Sequence, residues 1–204
     1  QVARLTNLVQ NPRQVEEGST AEANVRWSWT RSYISNFNGR HGVATACRMT
    51  SPSSETTGVS RGFDFYANMD IAAGTSGAAI SQPVTPGETI HLECSFAMSF
   101  SGGACMESRF HDGNGNWVSA SVKGAPATPS GIGVVTPASM DVVVPEGAVY
   151  LSARLATVGS ITFPENSTMD MSELYIGAPG DYFDGDTPPF HYGELAQLVV
   201  PKWS

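Results

Sequence analysis

The sequence predicts an all-β chain, an antiparallel β-sandwich of jelly-roll type. Three observations predict it. Apolar residues recur in short runs with a period of two rather than about 3.6. Turn signals part those runs roughly every ten residues, the spacing expected of sandwich and jelly-roll strands. Gly and Pro are abundant, 21 and 13 of the 204 residues, and they cluster between the runs. A parallel α/β fold needs a helix between successive strands, and no such helical period is visible.

Taken in order, a strand is expected near the start and another at 25–29. The runs 43–50 and 62–68 follow, separated by the polar link Thr50 to Gly58. The clearest strand is 88–100. Ile90, Leu92, Cys94, Phe96, Met98 and Phe100 fall on one face, and Thr89, His91, Glu93, Ser95 and Ala97 on the other. One apolar face at period two marks a half-buried antiparallel strand. Pro86-Gly87 precedes it as a turn, and Ser101-Gly102-Gly103 follows as a hairpin loop. In 104–111, Met106 and Phe110 oppose Glu107 and Arg109. The stretch from Asp112 to Asn116, with Gly at 113 and 115, reverses the chain, and 117–122 is the expected returning strand. A Pro/Gly-rich link, 124–137, leads to an apolar strand at 140–144. Val149, Leu151, Ala153 and Leu155 then alternate with Tyr150, Ser152 and Arg154, and 168–176 carries Met169, Met171 and Leu174. The total is eight to ten strands in one domain, 1–178, followed by a C-terminal extension or connector, 179–204.

Composition excludes several functions. The formal charge is −8, nine of the eleven cations are Arg, and the two lysines, Lys123 and Lys202, are far apart. Without a basic cluster, a nucleic-acid partner is not expected. No apolar run reaches the ~18 residues of a membrane helix, and no signal peptide is recognisable, so no membrane partner is expected. Three cysteines, Cys47, Cys94 and Cys105, form neither a disulfide framework nor a CxxC metal motif. Cys94 lies in phase with apolar neighbours and reads as a small buried hydrophobe, although a Cys94–Cys105 bridge across a hairpin stays open. Such cysteine usage fits synthesis in a reducing bacterial cytoplasm. Catalysis is not expected either. His41, His91, His111 and His191 lack metal-ligand spacing, no GxSxG, HExxH or phosphate-cradling loop occurs, and the acidic residues fall in turns or on outward strand faces.

Four stretches together resemble a known family. Asn7-Leu-Val-Gln-Asn-Pro12, the stretch from Val84 to Ser95 followed by Phe110-His-Asp-Gly-Asn-Gly115, and Pro145-Glu-Gly-Ala-Val-Tyr-Leu-Ser152 are similar to jelly-roll carbohydrate-binding modules of the family four, nine and twenty-two type. Gly180-Asp-Tyr-Phe-Asp-Gly-Asp-Thr-Pro188 resembles the segment that follows such a module in minor tail proteins of actinobacterial phages. The resemblance implies a non-catalytic domain of a virion, extracellular once assembled, that contacts a host-surface polysaccharide. Other tail proteins are its implied partners, and a homo-oligomer is compatible with that setting. It also implies a structural Ca²⁺ between the N-terminal segment and the last core strand, at positions matched here by Glu16 or Glu17 and Asp170. The acidic turn with Asp181, Asp184 and Asp186 offers oxygens to a Ca²⁺ but lacks EF-hand spacing, and a solvated turn is the favoured reading. Two other readings stand beside this one. The first is a structural tail-tip jelly roll that joins virion proteins. The second is an accessory module of a secreted bacterial glycoside hydrolase. A chain that opens on Gln1 rather than Met fits a piece of a longer protein.

Sugar rings present C–H faces that stack on aromatic planes, while polar side chains select their hydroxyls. Trp27, Trp29, Tyr33 and Phe37 cluster among Arg26, Arg31 and Arg40. The two tryptophans share a strand face and suit core packing equally well. Tyr33 and Phe37 lie in a Ser/Asn/Gly-rich stretch and are expected to be exposed. Trp117, just after the tight turn, is either a stacking platform or a sheet-edge packing residue, and Tyr66 is a further candidate. The expected ligand-binding set is therefore Trp29, Tyr33, Phe37, Tyr66 and Trp117.

Overall fold

The computed structural model describes residues 24–25, 29–58, 61–65 and 82–180. In chain order their strands are β1 (Asn24–Val25), β2 (Thr30–Ile34), β3 (Ala46–Thr50), β4 (Glu55–Thr57), β5 (Gly62–Phe65), β6 (Gln82–Pro83), β7 (Thr89–Met98), β8 (Gly103–His111), β9 (Val122–Lys123), β10 (Thr136–Val143), β11 (Tyr150–Val158), β12 (Ile161–Phe163) and β13 (Thr168–Gly177). No helix forms among the described residues. One sheet, A, runs β1-β5-β11-β8-β9, with β6 also on β11. The other, B, runs β10-β7-β13-β3-β2, and β12 with β4 forms a small ribbon. Every pairing is antiparallel. From β7 onward the chain passes repeatedly from one sheet to the other, so the expected antiparallel sandwich is the observed architecture.

The sheets meet through the apolar alternation read from the sequence. Ile90, Leu92, Cys94, Phe96 and Met98 of β7 face Met106 and Phe110 of β8 and Leu151 and Leu155 of β11 across one continuous core. Phe163 closes one end of it. Its ring meets Trp29 edge-on at 4.9 Å and Phe100 at 4.8 Å, a geometry favoured by the ring quadrupole.

Several local expectations need correction. β7 and β8 are not a hairpin, because β7 lies in sheet B and β8 in sheet A. Cys94 and Cys105 therefore do not face each other across one sheet. All three cysteines are buried and outside any disulfide, and the Cys94 thiol meets Met106 Sδ at 3.6 Å. Burial, with Glu93 and Glu173 nearby, pushes the Cys94 thiol well above its usual range. The link 50–58 contains β4, which pairs with β12. β10 starts at Thr136, ahead of the expected 140, and accommodates Pro137 because it is an edge strand. The strand expected at 117–122 shrinks to Val122–Lys123. Trp117 bridges His111 and Val122 pairs Ser108, so five steps along this edge match three on β8 and the edge bulges. The expected connector, 179–204, lies outside the described residues beyond Gly180.

Candidate functional site

The polar residues of β8 and β11 come together on the outer face of sheet A. Strand register sets them in rows: Tyr150 opposite His111, Ser152 opposite Arg109, and Arg154 opposite Glu107. The edge extends two of these rows, with Trp117 beside His111 and Lys123 beside Glu107. Neighbouring strands lie about 4.8 Å apart, so each row is a line of side chains within reach of one another.

Glu107 anchors the middle of the face. It is 1% exposed, yet it carries charge partners on both sides. Arg154 donates to Oε2 from Nε at 2.8 Å and from Nη2 at 2.6 Å, and Arg109 Nη2 reaches Oε1 at 3.4 Å. Burial pushes this carboxyl up, but the hydrogen bond and charge of Arg154, with help from Ser121 and Arg109, hold it below the ordinary carboxylate range. Next to it, the Arg109 guanidinium lies over the Trp117 ring, 4.7 Å from the centroid, which is cation–π distance. Trp117 itself is 61% exposed, the most open of the described aromatic side chains named as candidates.

The turn before Trp117 is rigid for local reasons. Asp112 accepts from the backbone N–H of Asn114 at 2.8 Å and of Asn116 at 2.9 Å, and from Asn116 Nδ2 at 3.2 Å. These bonds, chiefly from Asn116, lower the Asp112 carboxyl pKa. Gly115 supplies the left-handed backbone the turn requires, with φ of 84°. His111 is buried with Nε2 at 2.9 Å from Ser152 Oγ and Nδ1 at 3.2 Å from the Gly115 carbonyl. The ring thus ties the turn to the middle of the sheet.

The outer face of sheet B has a different character. β13 carries a bulge between Ser172 and Tyr175, where Glu173 has φ of 54°. The buried Glu173 carboxylate accepts backbone N–H bonds from Arg40 at 2.9 Å, His41 at 2.7 Å and Val43 at 3.5 Å. Gly39 is needed beneath it, since a Cβ there would lie 2.3 Å from Glu173 Oε1. Farther along, Arg40 Nη1 donates to Glu93 at 2.8 Å, His41 and His91 flank the same carboxylate at 3.7 and 3.4 Å, and His91 Nδ1 meets Asp141 at 2.6 Å.

These two faces settle where most of the expected site residues go. Trp29 is 7% exposed and packed on Phe163, so it is a core residue and not a ligand platform. Phe37 is 6% exposed, because the loop pinned by Glu173 folds back and seats the ring over Ala46 and Ala97. Tyr33 belongs to β2 opposite Cys47 and packs half-buried against the main core, with Arg31 5.9 Å from its ring. None of these three joins Trp117. Tyr66, Glu16 and Glu17 lie outside the described residues. Asp170 is committed elsewhere: Arg48 donates to its two oxygens at 2.6 and 2.7 Å, a bidentate pair that does not suit a Ca²⁺ ligand. That bond raises the Arg48 pKa. Among the described residues no group of three or more His, Cys, Asp or Glu is arranged to hold a metal ion. The residues missed as site members are Arg109, Arg154, Tyr150 and Lys123. Their signal was the polar half of each strand's alternation.

No family model matches the chain, and no curated protein matches it. Solved structures do. The enzymatically active domain of bacteriophage CBA120 tailspike protein 4 superposes with a TM-score of 0.57 at 16% identity, over 84% of this chain and 21% of that one. This chain therefore spans about a fifth of the tailspike chain's length. The CBM22-1 xylan-binding domain of Paenibacillus barcinonensis Xyn10C gives 0.54 at 11% identity, over 85% of this chain and 94% of that one. The C-terminal family 22 carbohydrate binding module of Clostridium thermocellum Xyn10B gives 0.54 at 12%, over 87% and 98%. The fold is that of a jelly-roll carbohydrate-binding module. At these identities the likeness concerns architecture, and function has to be argued from the chain's own side chains.

Proposed function

We propose that this module is a non-catalytic glycan-binding domain of a phage tail, and that it holds a host-surface polysaccharide along the outer face of sheet A. The observation that carries the reading is the exposed Trp117 ring, backed on one side by Arg109 and fixed in place by the Asp112 turn. An indole held open and rigid offers a sugar a stacking plane at little entropic cost. Tyr150 in its own row, and Arg109, Ser152 and Lys123 in the rows beside it, supply groups to orient hydroxyls. Glu107 is held ionised between two arginines, which suits orientation rather than general-acid chemistry. The tailspike likeness supports the virion setting. Single sites of this kind bind weakly, and repeated copies on a tail would supply avidity.

A glycan array probed with the intact domain tests the reading. The expected result is retention on at least one class of bacterial surface glycan, lost in Trp117→Ala. A folded domain that binds no glycan, or a variant that binds as well as the parent, would sink it.

A further inference from the structure

We infer that the sugar recognised at this face carries a carboxylate, and that Arg109 reads it. This rests on the glycan-binding role proposed for the same face. A guanidinium has five N–H donors in a fixed fork. Arg109 makes one hydrogen bond, the 3.4 Å contact to Glu107, and its buried Nε has no hydrogen-bond partner. Glu107 is shared, since Arg154 takes its Oε2 twice and Arg109 reaches only Oε1. Glu107 and Trp117 therefore hold Arg109 in position without satisfying it.

The local charge points the same way. In a chain of net charge −8, this part of the face gathers Arg109, Arg154 and Lys123 around the single carboxylate of Glu107. Arg154 is taken up by Glu107, and Arg109 and the exposed Lys123 lie on the indole's side of that carboxylate. A pyranose stacked on Trp117 that bears a carboxylate on its ring offers the planar, bidentate acceptor a guanidinium fork matches best. A neutral sugar has only hydroxyls for those donors, and Arg109 and Lys123 then share the single carboxylate of Glu107 with Arg154.

The test uses matched pairs: oligomers of galacturonate, glucuronate and mannuronate, each beside the same oligomer with its carboxylates reduced to primary alcohols. Glycerol phosphate polymer is a further probe. Calorimetry on the intact domain should find at least one uronate bound about tenfold or more tighter than its reduced partner, with the preference shrinking as salt rises. Arg109→Gln should erase the preference, Arg109→Lys should keep only part of it, and Lys123→Gln should lower uronate affinity by about threefold without disturbing the Trp117 support. Equal affinity for native and reduced oligomers, an unchanged preference in Arg109→Gln, or binding of the phosphate polymer alone overturns the carboxylate assignment. Binding confined to neutral sugars overturns it while leaving the glycan-binding role intact. Binding of no sugar at all overturns both.

Discussion

The two outer faces of the sandwich carry similar chemistry and use it differently. On the middle strands of sheet B the carboxylates are closed off by neighbours, while Asp141 on the edge strand β10 pairs with His91 and stays largely exposed. Glu173 takes three backbone N–H groups, Asp170 takes both prongs of Arg48, and Glu93 lies among Arg40, His41 and His91. On sheet A the pairing is incomplete. Arg109 keeps unused donors beside an indole that is mostly exposed. Buried polar groups that satisfy one another fix a fold. The proposed function puts recognition on sheet A's face and leaves sheet B's face to structure.

The contrast breaks at once if buried aromatics carry the binding. Trp29→Ala should therefore lower stability by about 3–5 kcal/mol, as core Trp truncations do, with glycan affinity of the folded fraction unchanged. Urea denaturation and calorimetry on one preparation check both halves. Next in size is Glu173→Ala. It leaves three backbone donors of the 39–43 loop without their acceptor, and should cost about 2–4 kcal/mol without moving affinity. A loss of affinity in that variant would put recognition on sheet B. Trp117→Ala should do the reverse, reducing affinity about tenfold while stability stays within about 0.5 kcal/mol. The smallest effect is a pH response. Glu107 is held below its unfolded value of about 4.3, so its contribution to stability is complete above that pH and is lost as pH falls through the lower folded-state value. Melting temperature should fall more steeply below about pH 4 in the parent than in Glu107→Gln. Parallel slopes would show that the buried ion pair adds no pH-dependent stability.

How much of this was legible in the sequence depended on range. The alternation from Ile90 to Phe100 is local, and it named the core face of β7 correctly. Even the bulge left a trace: the apolar phase of β13 slips between Met171 and Leu174, where Glu173 sits. Trp29, Tyr33 and Phe37 were harder. A one-residue phase decides which way Tyr33 points, and the burial of Phe37 depends on Glu173, more than a hundred residues away in the chain. The site was half legible in the same sense. Glu107 and Arg109 on one run, and Tyr150, Ser152 and Arg154 on another, were outward polar positions from the start. That β8 and β11 are neighbours is a matter of topology, which alternation alone does not encode.

The most direct measurement is a glycan titration followed by backbone and indole N–H resonances. The account predicts shifts concentrated at the Trp117 indole and along β8, β11 and residues 112–123, with the outer face of sheet B silent. Shifts centred on His91, Glu93 and the 39–43 loop, with an unmoved Trp117 indole, would contradict it.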